Sequence, residues 1–420
     1  MSLQAYATGS MLKGALAATT EKVDLYYETK ETIKHSERPM VQRTNVIQGL
    51  TNLNGSGTST ILVSPQQGVS SIMMALKLPA RVVGSRQYRG IATPKNWGWA
   101  ALVSVQFRYA NSSMYTLSGR QMMINAIQSA KDQRSAEDLM DLSGQELIVD
   151  ADYAEDDQLW AYIPICLPHA GAEIDRAPLC SEALDSPIQL LITLRSPADV
   201  LTQSSGGTVD ALPTTWEKGF VQVKQHIAAT GTDLESPRGK AHHILADFYQ
   251  QENSLSLDQV ATPQSVNLVG FRAGSVKQVN MYATPSTYSK LNPLEMYLPK
   301  DIKVNYMGTQ LYVADGYSSQ FWSVLFSNKP SRFNGAFLVD NGNGTFTSTP
   351  KVYNWVQVPF QASYSPLESG ESVAVPGISV SNGIISVDMT VDAVVKYSLF
   401  YHPVLLCSLV IENGNLEYIF

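Results

Sequence analysis

One apolar pattern runs through the chain twice, and its second pass follows the first by about 197 residues. Val103, Val105, Phe107 and Tyr109 alternate with Ser104, Gln106 and Arg108, run into a turn-rich stretch that ends at Gly119, and lead to the helix-like Met122–Ala130. Ile302, Val304 and Tyr306 alternate in the same way around Lys303 and Asn305, reach Gly316 and lead to Phe321–Leu325. Tyr162-Ile163-Pro164 has its counterpart in Gln357-Val358-Pro359, and the ladder Ile188/Leu190/Ile192/Leu194 in Ile385/Val387/Met389/Val391. Residue identity between the passes is poor, so what repeats is the pattern. A strand-rich chain can align with itself by chance, but four features in one order at a near-constant offset favour two similar β domains in tandem.

The length of 420 residues lets two domains of about 200 residues each bury a core. Charged residues are only 16% of the chain, and 28 Gly and 21 Pro accompany them. That balance suits a strand-and-turn protein with much of its lateral surface covered by neighbours. The predicted division is an N-terminal arm at 1–34, a first sandwich at 35–228, a linker at 229–240 without apolar period, and a second sandwich at 241–420.

Strand signals fall at Ser59–Val63, then at Ile72/Met74/Leu76/Leu78, and then at 103–109, 159–166, 188–195 and 220–227. They resume near 244–250, 265–271, 276–282, 302–306, 352–360, 384–391 and 404–411, with a hairpin signal at Asp340-Asn341-Gly342-Asn343-Gly344 between Ala336–Val339 and Phe346–Thr349. The interval 120–142 breaks the β period. Met123, Ile124 and Ile127 have helical spacing, Ser135-Ala136-Glu137-Asp138 has the form of a capping box opening a second helix, and a further short helix is expected at 318–326. About eight short strands per half, with helices inserted in loops, predict two tandem eight-stranded jelly-roll β-sandwiches.

This succession resembles the double jelly-roll major capsid proteins of the lineage of tectiviruses, adenoviruses and nucleocytoplasmic large DNA viruses. The resemblance is carried by residues 103–195: the ladder into Ser118-Gly119, the helices, then Leu159-Trp160-Ala161-Tyr162-Ile163-Pro164-Ile165, Ala177-Pro178-Leu179-Cys180 through Leu184, and Ile188–Leu194. The end, Tyr401-His402-Pro403-Val404-Leu405-Leu406 to Glu412-Asn413-Gly414, is similar to the family's closing strand and departs from it at His402-Pro403. The resemblance covers about residues 40–420. It implies a non-enzymatic capsid protein that self-assembles as a homotrimer, each capsomer a pseudo-hexagon of six wedges in an icosahedral shell. It also implies neighbouring capsomers, minor capsid and penton proteins as partners, an internal membrane reached through the N-terminal arm, and a place in the virion after assembly inside the host cell.

Charge and chemistry agree with a structural role. Net charge is −7, and Lys13, Lys22 and Lys30 are offset by Glu21, Asp24 and Glu28, so no basic arm for nucleic acid is expected. Cys166, Cys180 and Cys407 are odd in number and form no CxxC pair, which points to folding with free thiols, Cys407 as a small buried hydrophobe. No apolar run reaches the ~20 residues of a membrane span, and Lys13 and Gly14 interrupt the short apolar segment Met11–Ala18, so no targeting signal is read. Neither a Gly-x-Ser-x-Gly elbow nor a phosphate-cradling loop occurs.

The histidines are His35, His169, His226, His242, His243 and His402. Cys166 and His169 lack a second ligand pair, and adjacent His242 and His243 on a strand would face opposite ways. The acidic run Asp150, Asp152, Glu155, Asp156 and Asp157 is either solvated or a calcium loop, though it lacks the Asp-x-Asp-x-Asp-Gly spacing. Asn54, Asn111 and Asn343 each open an Asn-x-Ser/Thr triplet, which without a signal peptide is uninformative. No catalytic, cofactor-binding or metal-binding residue is therefore assigned. Trp97 and Trp99 alternate onto one face, as in an extended segment leading into the 103–109 ladder, and are candidates for a subunit-interface anchor, a sugar platform or simple core packing. The competing functional reading is a secreted two-domain β-sandwich that binds carbohydrate or hydrolyses glycosides, which would want a signal peptide and a carboxylate pair in a cleft.

Overall fold

Alternation decides the sheets: Ile188–Leu194 and Ile385–Val391 each bury every second residue. The computed structural model of the chain describes residues 40–420 apart from 65–67, 80–81, 84–85, 88–90, 111, 131, 148–158, 168–178, 180, 204–211, 229–241, 258–262, 315–329, 343–344, 361–377, 380–383 and 392–395. The expected arm 1–34, linker 229–240, acidic run 150–157, Gly316 and helix 318–326 lie outside the described residues.

The first sandwich is made of β1 (Met40–Gly49), β2 (Thr58–Val63), β3 (Gly68–Lys77), β4 (Leu102–Tyr109), β5 (Ser112–Ser118), β6 (Trp160–Ile165), β7 (Ile188–Leu194) and β8 (Lys218–Ala228). The second is made of β9 (His242–Tyr249), β10 (Gln264–Leu268), β11 (Ser275–Pro285), β12 (Pro299–Tyr306), β13 (Thr309–Ala314), β14 (Val356–Pro359), β15 (Ile385–Val391) and β16 (Tyr397–Glu412). In the first, a front sheet of order β1-β8-β3-β6 faces a back sheet of order β2-β7-β4-β5. In the second, the front sheet has the order β9-β16-β11-β14, with Asn253–Leu257 and Asn415–Ile419 also paired to β16 and Ile378–Ser379 to β11, and the back sheet is β10-β15-β12-β13. Adding eight to each label of the first sandwich gives the second. Both have jelly-roll connectivity, so the chain is a double jelly roll and the repeated pattern is a repeated topology.

The matched segments of the sequence fall on matched strands: 103–109 and 302–306 on β4 and β12, the apolar-Pro steps on β6 and β14, the two long ladders on β7 and β15. Pro164 pairs with Met73 and Pro359 with Gln278, each proline on the outer strand of its front sheet. A residue without an N–H is tolerated there, which is why the step recurs.

Several expectations are corrected. β1, β5 and β13 are strands where the sequence reading placed none, and the turn-rich stretch before Gly119 is β5 itself. The expected strand 352–360 divides at Trp355. Its first part ends the hairpin Arg332–Asp340/Phe346–Asn354, and the rest is β14. Trp97-Gly98-Trp99 is not extended but opens helix α1 (Trp97–Ala101). The interval 120–142 does hold two helices, α2 (Gly119–Gln128) and α3 (Gln133–Leu142). The second opens at Asp132, whose side chain accepts from the Ser135 N–H at 2.7 Å, and not at Ser135, because the aspartate sits one turn earlier with an extended backbone.

Candidate functional site

α2 is where the two sandwiches meet. Ser118 caps it by accepting from the Gln121 N–H at 3.1 Å. Gly119 begins it in a space with no room for a side chain: a Cβ there would lie 2.1 Å from the Leu102 carbonyl oxygen. Apart from Arg120, all its residues are buried, Gln121, Asn125 and Gln128 included. A helix buried on every side has a neighbour on every side. On one side are α1 and the first sandwich, and on the other the front sheet of the second.

The contact with that sheet is polar. Gln128 and Asn280 exchange amide hydrogen bonds, Gln128 Nε2 donating to Asn280 Oδ1 at 2.9 Å and Asn280 Nδ2 to Gln128 Oε1 at 3.2 Å. Asn280 Nδ2 also lies 2.9 Å from His402 Nε2, which accepts, so the imidazole proton sits on Nδ1. Asn280 is paired across the sheet with His402 on β16 and with Gln357 on β14, and all three are fully buried. Burial holds His402 neutral, its pKa pushed down to about 3.

About two turns earlier, the start of α2 is joined to the segment that follows β9. Gln121 donates from its amide to the Gln250 carbonyl and accepts from the Glu252 N–H at 3.1 Å. The Glu252 carboxylate accepts from Tyr282 and from Ser118. Burial nonetheless raises its pKa above the usual carboxylate range, outweighing those bonds and the nearby Arg120 charge. Arg120 donates to the Pro293 carbonyl at 2.7 Å, and burial lowers its pKa. A cavity of about 260 Å³ lies beside this group, lined by Arg120, Arg195, Glu252, Tyr282 and Tyr288 among others. Arg195 stacks over Tyr288 at 4.8 Å.

Further along the seam, Tyr109 donates to the Gly414 carbonyl and accepts from the Asp185 N–H at 3.2 Å. Glu137 of α3 accepts from Asn334 at 3.0 Å, fastening the hairpin 332–354 to the first sandwich. One continuous apolar cluster spans both sandwiches.

The residues singled out from sequence are not brought together. Trp97 and Trp99 are buried, and Trp97 stacks on Trp216 with centroids 5.6 Å apart. They are core residues of a single chain, so neither can anchor a subunit interface or serve as a sugar platform. Cys166 and Cys407 are buried free thiols, and burial raises the Cys166 pKa to about 12. His242 and His243 lie side by side on β9, while His35, His169 and Cys180 lie outside the described residues. Among the described residues no three His, Cys, Asp or Glu side chains gather as metal ligands would, and no helix is long and apolar enough to cross a membrane. What sequence reasoning missed is the seam itself. Its only advance signal was His402, where the closing strand departs from the pattern of the family it resembles.

No model of a known protein family and no curated protein matches the sequence. Solved structures do. The PBCV-1 virus capsid superposes with a TM-score of 0.58 at 10% identity, over 91% of this chain and 96% of that one. The faustovirus major capsid protein gives 0.53 at 9% identity over 93% and 94%, and the mavirus major capsid protein 0.50 at 10% identity over 91% and 92%. At such identities the likeness is one of fold, and the chain has the double jelly-roll fold of these viral major capsid proteins.

Proposed function

We propose that this chain is a major capsid protein that self-assembles, three copies to a pseudo-hexameric capsomer, into the icosahedral shell of a DNA virus. The observation that carries the reading is the doubled topology, two sandwiches of one strand order locked side by side by a buried seam. Two like wedges per chain let three chains close a six-wedge ring from one gene product. Function then resides in shape and in self-complementary edges, without catalysis or a cofactor, and the protein acts in the virion. Residues 35–228 and 241–420 are the two wedges. Residues 1–34 form an arm for the inner side of the shell, where a membrane or minor capsid proteins are the expected partners.

Light scattering on the purified protein tests the reading. The chain has a mass of 45.9 kDa, and the expected particle is three times that. A particle that stays at one chain mass at every concentration would remove the capsomer from the account and return a two-sandwich binding protein as the alternative.

A further inference from the structure

The cavity beside the start of α2 is rich in hydrogen-bond donors and poor in free acceptors. Arg120 stands in the first turn of α2, and Arg195 directly follows β7. Both are half-buried, and among the described residues neither guanidinium has a carboxylate within ion-pair distance. Arg120 makes one side-chain hydrogen bond, to the Pro293 carbonyl, and Arg195 makes only the stack on Tyr288. A guanidinium carries a fork of N–H donors and no acceptor, so most of this capacity stays open. Trp99, 1% exposed, also lines the cavity, and its indole N–H has no hydrogen-bond partner. Burial lowers the Arg120 pKa, and the Arg195 charge adds to that, as two cations sharing one space do.

The two carboxylates on the wall are already engaged. Glu252 accepts from Tyr282 and Ser118, and Glu295 accepts from Lys351 and Tyr297. Glu252 is near enough to favour the charged form of Arg120 but not to pair with it. A cation withdrawn from water is costly unless a counter-charge accompanies it, and this chain supplies none at contact distance. The space of about 260 Å³ far exceeds what one water needs. Ser286, Thr287 and Tyr288 on its wall are exposed, which gives a small solute a way in. Two forks held by different elements suit a tetrahedral group with oxygens on several sides better than a flat carboxylate.

We infer that this cavity binds a phosphate-type oxyanion, with Arg120 and Arg195 as its charge partners and the Trp99 indole as a further donor. Arg120 and Arg195 belong to the first sandwich, and Tyr288 and Pro293 to the second. The bound anion therefore ties the two sandwiches together beside the polar seam. The site stands independently of the capsomer reading.

Isothermal titration calorimetry of the full chain with inorganic phosphate, at neutral pH and constant ionic strength, tests it. One anion per chain should bind saturably and raise the melting temperature in step with occupancy. Phosphate also stabilises folded proteins without a site, so a variant makes the comparison specific. Arg195→Gln, shown to be folded by circular dichroism, should bind phosphate about tenfold more weakly or worse. If it fails to fold, Arg195→Lys, which keeps the charge and loses the fork, should still weaken binding several-fold. Phenyl phosphate titrated in parallel separates a free ion from a phosphate carried on a larger ligand, the tighter binder identifying the source. No saturable heat with either compound in the folded parent overturns the site. A folded variant that binds as tightly as the parent overturns it equally.

Discussion

His402 holds in the second sandwich the position that Phe220 holds in the first, and the two residues respond differently to acid. The imidazole contacts neutral amides, Asn280 directly and Gln128 beyond it, and burial alone keeps it uncharged. Its folded pKa, about 3, lies below the ordinary 6.5. The stability it lends is therefore complete above 6.5 and is lost as pH falls through the window down to about 3, at a slope of at most ~1.4 kcal/mol per pH unit. Glu252 runs the opposite way. Its pKa is raised, so its contribution is complete below the ordinary carboxylate value and is lost as pH rises through the folded one. For that reason the informative quantity is the difference between the parent and His402→Phe, followed by urea unfolding from about pH 7 to pH 4. The parent should lose stability faster than the variant on acidification. Parallel curves would mean that His402 is not the acid-sensitive group of the seam.

At the scale of elements, α2 acts as a wedge buried on both sides, and its last turn ends in a reciprocal amide pair. Gln128→Ala should destabilise the chain by about 1–3 kcal/mol, because Asn280 is left buried with its Oδ1 unanswered by the helix. Gln128→Met combined with Asn280→Leu should cost less than the sum of the single changes, since neither amide is left facing a missing partner and the loss of the donor to His402 Nε2 is common to both Asn280 variants, and a denaturant double-mutant cycle measures the coupling. Additive losses would show that the pair is two independent contacts. The strands legible in the sequence were those with one buried face, such as Ile188–Leu194 with its strict alternation. The strands that escaped notice lie at edges. β5 reads Ser-Ser-Met-Tyr-Thr-Leu-Ser, with adjacent Met114 and Tyr115 both buried, and β13 keeps Leu311 and Val313 in solvent, so neither carries a period of two. The seam was illegible for a related reason. Gln128 and Asn280 are residue types that usually sit in water, and it is their contact across the seam that answers them in the interior. Trp97 and Trp99 misled because a two-residue spacing fits one face of a strand, whereas in α1 it sets the two side chains about 200° apart and both are buried because the short helix is covered all round.

Across the whole molecule, the continuous apolar cluster and the polar seam make the sandwiches one cooperative body. Calorimetry of the full chain should show a single unfolding transition, and two resolved transitions would mean that the seam does not couple the halves. The asymmetry between the two front faces then has a consequence of parity. Each chain contributes one wedge in which His402, Asn280 and Gln357 are buried on the front sheet and one in which Phe220 and Tyr162 at the matching places are half-buried, so the two kinds must alternate around any closed ring. A ring of alternating kinds contains an even number of wedges, whatever the number of chains. Flat, six-sided tiles satisfy that arithmetic and a five-sided corner does not, so on the proposed capsid reading the vertices of the shell would fall to a different protein.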